Sequence, residues 1–513
     1  MTRERRRRSG SGRRTANLVP QLPWRSVENG FRPLEILDPE QIERIHDCSL
    51  RILEELGVEL MNAESRDLFE QAGATVDHET GVVRVDRGLL ESLLATAPSS
   101  VTLTPRNPEH AITLGGRHLN FTLVAGPPNV HDCVNGRRAG NYRDYCDLVR
   151  LAQSLNIIHL IGNQPTAPQE LPASTRHLDT YLANLTLTDR TFHCTAIGAQ
   201  RARDGIEMSA IARGISMQEI VQSPSVLTVI NVNSPRRLDD ELANGLIEMA
   251  RCGQACVITP FTLMGAMTPV TLPAALAQQN AEALFGIALT QLVRPGAPAV
   301  YGAFTSNVDM RTGAPAFGTP ENTKANIAAG QLARRYGLPY RTSDANASNV
   351  VDAQAAYETE MSLWGAVLGG ANIVYHAAGW LEGGLTASFE KVILDAELLQ
   401  SIVEVMKPIE VDDDSLALDA MRAVEPGGHF FGADHTMSRY ETAFYRPLLS
   451  DWQNHANWEA AGSKTATERA TEIWQRLLAE YTEPAMDPAV REQLEDYVAR
   501  RREEIGREGL DCE

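Results

Sequence analysis

The residues best placed to do chemistry lie in the stretch N-I-V-Y-H-A-A-G-W-L-E-G-G-L, from Asn372 to Leu385. Its first part, Ala371–His376, is apolar and β-branched, as a buried strand is. The run then turns Gly-rich, and His376 stands where the strand pattern stops. An imidazole at such an exit can donate to a substrate carboxylate or act as acid or base; the competing reading is a histidine satisfied in the core. Other apolar runs end in a comparable way. Asn163 and Gln164 follow one, Asn231 and Asn233 another, then come Tyr301, then Tyr340, Ser343 and Asp344, and finally Tyr375, His376 and Trp380. This inventory is rich in amides and aromatics and lacks the Lys and Arg of a phosphate clamp. It suits a neutral or cationic small molecule, because ring faces attract a quaternary ammonium by ~2 kcal/mol or more when desolvated. Tyr301, Tyr340, Tyr375 and Trp380 are candidates for that box, with ordinary core packing as the alternative. Asn163 and Asn231 are candidate ligand contacts or loop caps, and Asp344 is either a partner for a cation or an Asx-turn. His193 and Cys194 are read as barrel filling, and no acid–base residue is assigned.

The elements that must position these groups follow from periodicity. Strand-like runs occur near Leu119–Val124, Asn156–Ile161, Thr191–Ile197, Val226–Val232, Cys256–Thr262, Ala297–Ala303, Leu338–Thr342 and Ala371–His376, with helical segments between them and Phe389–Val405 after the last. Alternating strand and helix makes parallel strands with crossover helices. Eight units predict a closed (β/α)8 TIM barrel in the α/β class, with an open parallel sheet as the alternative; barrel sites lie where the loops after the strands converge. The predicted boundaries are a disordered basic arm over 1–33, an N-terminal α+β extension over 34–117, the barrel over 118–410 and a mostly helical C-terminal cap over 411–513. In the extension, Asp38-Pro39-Glu40-Gln41 reads as a capped helix start.

Composition narrows the function classes. The 513 residues carry a formal charge of −19 and include 43% hydrophobic residues. The Arg-rich start, Met1 to Arg14, has no apolar core behind it, so it does not read as a signal peptide. The overall acidity argues against nucleic acid as a partner. No apolar run has the length of a membrane span. Seven cysteines without paired spacing predict a reduced, cytoplasmic protein and no metal site. Nucleotide-binding glycine motifs and the G-x-S-x-G elbow are absent from the sequence.

Several separated motifs carry a resemblance. They are the eighth-strand stretch with S-F-E-K-V-I-L-D-A-E at 388–397, V-N-S-P at 232–235, T-P-F-T-L-M-G-A-M-T-P-V at 259–270, V-D-A-Q-A-A-Y-E at 351–358 and G-G-H-F-F-G-A-D-H-T-M at 427–437. In this order they resemble the trimethylamine methyltransferase family of corrinoid-dependent methyltransferases. The resemblance implies a TIM barrel with terminal additions. It also implies methyl transfer from a methylated amine to the Co(I) of a small partner corrinoid protein, with cobalamin held by that partner rather than by this chain. The founding enzymes carry pyrrolysine, and this chain shows only standard residues. It therefore looks like the branch lacking pyrrolysine, whose substrates are quaternary amines such as glycine betaine. His376 matches a histidine that the family places in the substrate pocket. A homo-oligomeric assembly is also expected; the alternatives are a barrel that binds a small cation without catalysis and trimethylamine itself as substrate, against which the missing pyrrolysine argues.

Overall fold

In the computed structural model, which describes residues 19–508, eight parallel strands form one barrel. We number them β1 (His118–Leu123), β2 (Leu160–Ile161), β3 (Thr191–Phe192), β4 (Leu227–Ile230), β5 (Ala255–Ile258), β6 (Ala299–Gly302), β7 (Tyr340–Ser343) and β8 (Ile373–Ala378). Each pairs with its neighbour in chain order, β8 returns to β1 through Val374 and Phe121, and a parallel bridge from His193 to Leu227 joins β3 to β4. The circle is closed, as the eightfold alternation predicts. The helices that follow the strands are α1 (Tyr142–Ser154), α2 (Arg176–Leu187), α3 (Ala199–Arg213), α4 (Asp240–Arg251), α5 (Leu272–Val293), α6 (Pro320–Arg335), α7 (Ala353–Gly369) and α8 (Phe389–Val405).

Local chemistry sets the ends of these helices. Asn141, Asp352 and Ser388 cap α1, α7 and α8 by accepting backbone N–H groups of the first turn. Gly370, at φ +79°, ends α7 in the left-handed conformation that only glycine adopts without cost.

Two interiors result. Residues facing the helices form the larger core. Inside the barrel, Leu160, Leu227, Ala255, Val257, Val300, Ile373 and Tyr375 pack against Val101, Leu103, Ile112 and Leu114. Those last four belong to the antiparallel hairpin Ser100–Leu103/Ile112–Gly115, which fills the N-terminal end of the barrel as a stopper. At the opposite end β5 and β6 continue into Phe261–Met264 and Phe304–Val308, paired with each other. A four-stranded sheet of Trp380–Leu381, Thr386–Ser388, Asn129–Asp132 and Gly136–Ala139 raises the wall beyond β8 and β1. The mouth is therefore a deep collar rather than a flat rim.

The terminal segments pack on the outside. Pro39–Arg51 has the predicted Asp38/Gln41 capping box, and Phe69 of the N-terminal extension stacks on Phe285 of α5 at 4.7 Å. The helix Ala466–Ala479 lies on α8, where Trp474 donates to Glu390 at 2.9 Å. Pro488–Glu508 lies on α2 and α3, with Tyr497 and Arg501 both bonded to Asp204 at 2.8 Å. One expectation is corrected here. Residues 19–33, assigned by sequence to a disordered arm, are built into the body: Val27 pairs with Leu119 of β1, and Asn29 donates to the Val367 carbonyl at 2.7 Å. Their apolar side chains, Val19 and Val27, are buried, which is what ties them down. The Arg-rich part of the arm, Met1 to Arg14, lies outside the described residues. Among the described residues no helix is long and apolar enough to cross a membrane.

Candidate active site

The site begins with an irregularity in β8. Val374 pairs with Phe121 and Ala378 with Leu123, so the strand spends two extra residues against β1. His376 sits in this bulge at φ +58°, a region costly for a side chain with a Cβ and one that bulges use to re-aim residues. Regular alternation would send Tyr375 inward and His376 outward. The bulge turns both toward the same cavity.

That cavity, of about 280 Å³, occupies the C-terminal mouth of the barrel. Tyr375, His376 and Trp380 form one wall, Phe261 and Phe304 another, and Asn163, His193, Thr195, Asn231 and Arg341 supply the polar lining. The rings are mutually braced. His376 and Trp380 lie 4.3 Å apart, Phe304 and Trp380 6.2 Å, and Phe261 and Phe304 5.1 Å, centroid to centroid. Trp380 is fixed by Asn346, which accepts its indole N–H at 3.0 Å and donates to its carbonyl at 2.7 Å.

The two imidazoles are oriented by the backbone. The Ala125 N–H donates to His376 Nδ1 at 3.2 Å, which leaves the proton of the neutral ring on Nε2. The Val229 N–H donates to His193 Nε2 at 3.2 Å, which leaves the proton on Nδ1, a buried atom without a partner. Both rings are neutral at physiological pH. Burial, with the nearby Arg341 charge, holds His376 well below the usual imidazole range and His193 down to about 3.

Arg341 is the most informative group. It lies on β7, is 2% exposed, and its guanidinium stands over the Tyr375 ring at 4.6 Å and the Phe304 ring at 5.8 Å. Its Nε and Nη1 have no hydrogen-bond partner. Burial lowers its pKa to about 10, so it remains a cation. A buried guanidinium with idle donors is an anion site in waiting, since unpaired buried donors are costly.

The structure thus gathers five of the sequence-predicted residues, His376, Asn163, Asn231, Tyr375 and Trp380, and excludes three. Tyr301 points outward from β6, where its hydroxyl donates to Asn280 at 2.9 Å. Tyr340 does the same from β7, donating to the Asn326 carbonyl at 2.7 Å. The two tyrosines face each other across the register, so one error of face removed both from the box. Asp344 is fully buried outside the barrel, with neither carboxylate oxygen bonded. Burial raises its pKa well above the usual carboxylate range despite Lys391 nearby, and from its place behind the strand it does not line the cavity. Of the pocket amides, Asn163 accepts from Thr195 at 2.6 Å, and Asn231 is exposed at the rim.

The sequence reading leaves out Arg341 and Phe304 and treats His193 as filling, whereas all three line the cavity. The expectation of a mouth without arginine is overturned by Arg341. Its signal was present: a lone arginine inside the apolar run L-P-Y-R-T-S has no solvent to reach, and so must meet either a carboxylate or a ligand. Cys194, also read as barrel filling, instead points out of the barrel, with its thiol 3.4 Å from the Tyr181 hydroxyl.

Comparison with known proteins gives the family. A family profile described as trimethylamine methyltransferase (MTTB) matches residues 3–506. The chain belongs to that family. It is a methyltransferase, as the motif resemblance implied. Among curated relatives, the glycine betaine methyltransferase of Desulfitobacterium hafniense (strain Y51) is 36% identical over 474 residues, covering 92% of this chain and 98% of that protein. The trimethylamine methyltransferase MttB of Desulfitobacterium hafniense (strain DSM 10664 / DCB-2) is 29% identical, covering 91% and 94%. Among solved structures, the monomethylamine methyltransferase (MtmB) of Methanosarcina barkeri aligns over 90% of this chain and 92% of that one, at 11% identity and a TM-score of 0.47.

Proposed function

We infer that this methyltransferase takes a quaternary ammonium carboxylate, of which glycine betaine is the type, and passes one methyl to the corrinoid of a partner protein. The observation that carries the reading is Arg341, a buried cation with idle donors inside an otherwise aromatic cavity. A substrate that is a cation at both ends, or a cation only, meets uncompensated repulsion there. A zwitterion does not: its carboxylate satisfies Arg341, His193 Nδ1–H and His376 Nε2–H, and its onium methyls rest on Trp380, Phe304 and Phe261. The volume is right for such a molecule. About 280 Å³ is room for about nine waters at ~30 Å³ each.

The chain's own groups do three things in the reaction. Arg341 and the imidazole N–H groups orient the substrate, the rings exclude water, and the collar holds the onium group near the rim. No acid is required, because the quaternary nitrogen keeps the electron pair of the broken C–N bond and leaves as a neutral tertiary amine. This accounts for an active site whose histidines are buried and neutral. The corrinoid, when brought to the mouth, supplies the nucleophile that accepts the methyl. The rim suits such an approach: Asn231 is exposed, Ile197 is 46% exposed, and the cavity adjoins a wider hollow of about 660 Å³ through Asn163, Thr195 and Ile197.

The test is methyl transfer to a reduced corrinoid protein from a panel of betaines, carboxyl-free quaternary amines and trimethylamine. Carboxylated quaternary amines are expected to react. Turnover on trimethylamine alone would overturn the reading, and binding of betaines without any transfer would make the barrel a non-catalytic binder.

A further inference from the structure

Between α8 and Leu448 the chain leaves the body of the molecule. No residue from 407 to 447 is buried, and the short helices there, Asp413–Leu416, Leu418–Arg422 and Asp434–Met437, bury nothing. Yet the segment is not built like a solvated linker. Of the 24 large apolar side chains exposed among the described residues, ten lie between 409 and 444, with Ile409 at 90%, Phe431 at 80% and Phe444 at 82%. Soluble monomers rarely expose contiguous apolar patches beyond a few hundred Å².

Both ends of this arm are fixed. Met406 is buried, and its carbonyl is so close to Gly30 that a Cβ there would lie 1.8 Å from it. Leu448 and Leu449 are buried, and the Leu449 N–H donates to Glu397 of α8 at 2.8 Å. Position and charge choose the occupant. Because α8 runs back from the end of β8, its last turn lies at the N-terminal face of the barrel, away from the mouth. A protein collecting the methyl group must reach the mouth, so the arm is rooted on the wrong side for it. On the arm's own side, next to Gly30, lies a groove of about 640 Å³. Phe31, Arg32, Arg117 and Arg334 line it, and no carboxylate does. The arm from 407 to 447 carries eight acidic and four basic side chains. Its root and the groove are neighbours, which is the geometry a reciprocal exchange about a twofold axis requires.

We propose that the arm 407–447 of one chain seats its aromatic and acidic side chains on the arginine-lined groove at the N-terminal barrel face of a second copy, which returns its own arm in kind. The inference is independent of which amine the mouth accepts. Sedimentation velocity of the full chain at micromolar concentration is expected to show an even-numbered oligomer. Phe431→Asp with Phe444→Asp on the arm, and separately Arg32→Glu in the groove, are each expected to weaken assembly by at least about tenfold. Far-UV circular dichroism and betaine binding should stay unchanged. Hydrogen exchange at residues 99–118, beneath the groove, should rise in the arm variant. A wild-type monomer, or an oligomer indifferent to both sets of substitutions, would overturn the proposal. So would arm variants that stay oligomeric but no longer transfer methyl groups to the corrinoid protein, since that would give the arm to the other partner.

Discussion

At the scale of single residues, the question is what a buried charge does when its pocket is full. Charge-assisted hydrogen bonds contribute about 1.5–3 kcal/mol, and about 2.7 kcal/mol is a hundredfold in an equilibrium or a rate. Arg341→Met keeps most of the volume and removes the donors. It is expected to lower kcat/KM for glycine betaine by about a hundredfold while improving binding of a carboxyl-free quaternary amine, read by calorimetry on the same preparation. His376→Ala is expected to cost a large part of methyl transfer with the fold intact; wild-type rates would remove His376 from the site. Because burial and Arg341 keep both imidazoles neutral, the pH profile of kcat/KM should be flat through pH 6–8, with no step near the ordinary histidine value.

At the scale of elements, the site depends on how the 376–388 segment is folded and held. Gly384 has φ +98°, and a Cβ there would lie 2.5 Å from the Trp380 ring. Gly384→Ala must therefore strain the backbone and push the indole, and overpacking of this kind costs about 1–3 kcal/mol. A fall in kcat/KM measured at a temperature where the variant is still fully folded, well below its Tm, is the expected signature of a displaced Trp380. Behind the same segment, Lys391 pairs with Asp395, and Asp395 accepts the Gly379 N–H at 2.8 Å. All of these side chains are fully buried. Lys391→Met leaves Asp395 without its cation beside the already unpaired Asp344, and breaking such a pair costs about 3–5 kcal/mol. Chemical denaturation would measure it. The strand-and-helix alternation was legible because buried parallel strands must be short apolar runs, and the segments between them are longer and open on capping residues such as Asn141, Asp352 and Ser388. The faces were not. A shift of one residue inverts a strand, and this misplaced Tyr301 and Tyr340. In β8 the opposite happened: a bulge that no pattern announces rescued His376, which regular alternation would have turned away.

At the scale of the whole molecule, buried neutral groups set the response to acid. His159 and His193 are held down to about 3 by burial, and His376 is lowered in the same direction. In an unfolded chain all three sit near ~6.5. Below that value the unfolded chain binds protons that the folded one refuses. Stability therefore falls as pH drops from about 6.5 toward 3, by up to about 1.4 kcal/mol per pH unit for each histidine, and is unaffected above that window. Calorimetric Tm values at pH 7.5 and 5.0 would show the fall, and His193→Asn should reduce it.

The stopper hairpin, with Val101, Leu103, Ile112 and Leu114 packed into the strand interior, makes the reaction chamber blind-ended. Amine and demethylated product must share a single doorway, and a docked acceptor protein would stand in it. If the acceptor proposed above fills that doorway, traffic becomes sequential: fuel enters before the acceptor docks, and spent amine departs only after it has gone. Such an enzyme would turn over no faster than its partner lets go.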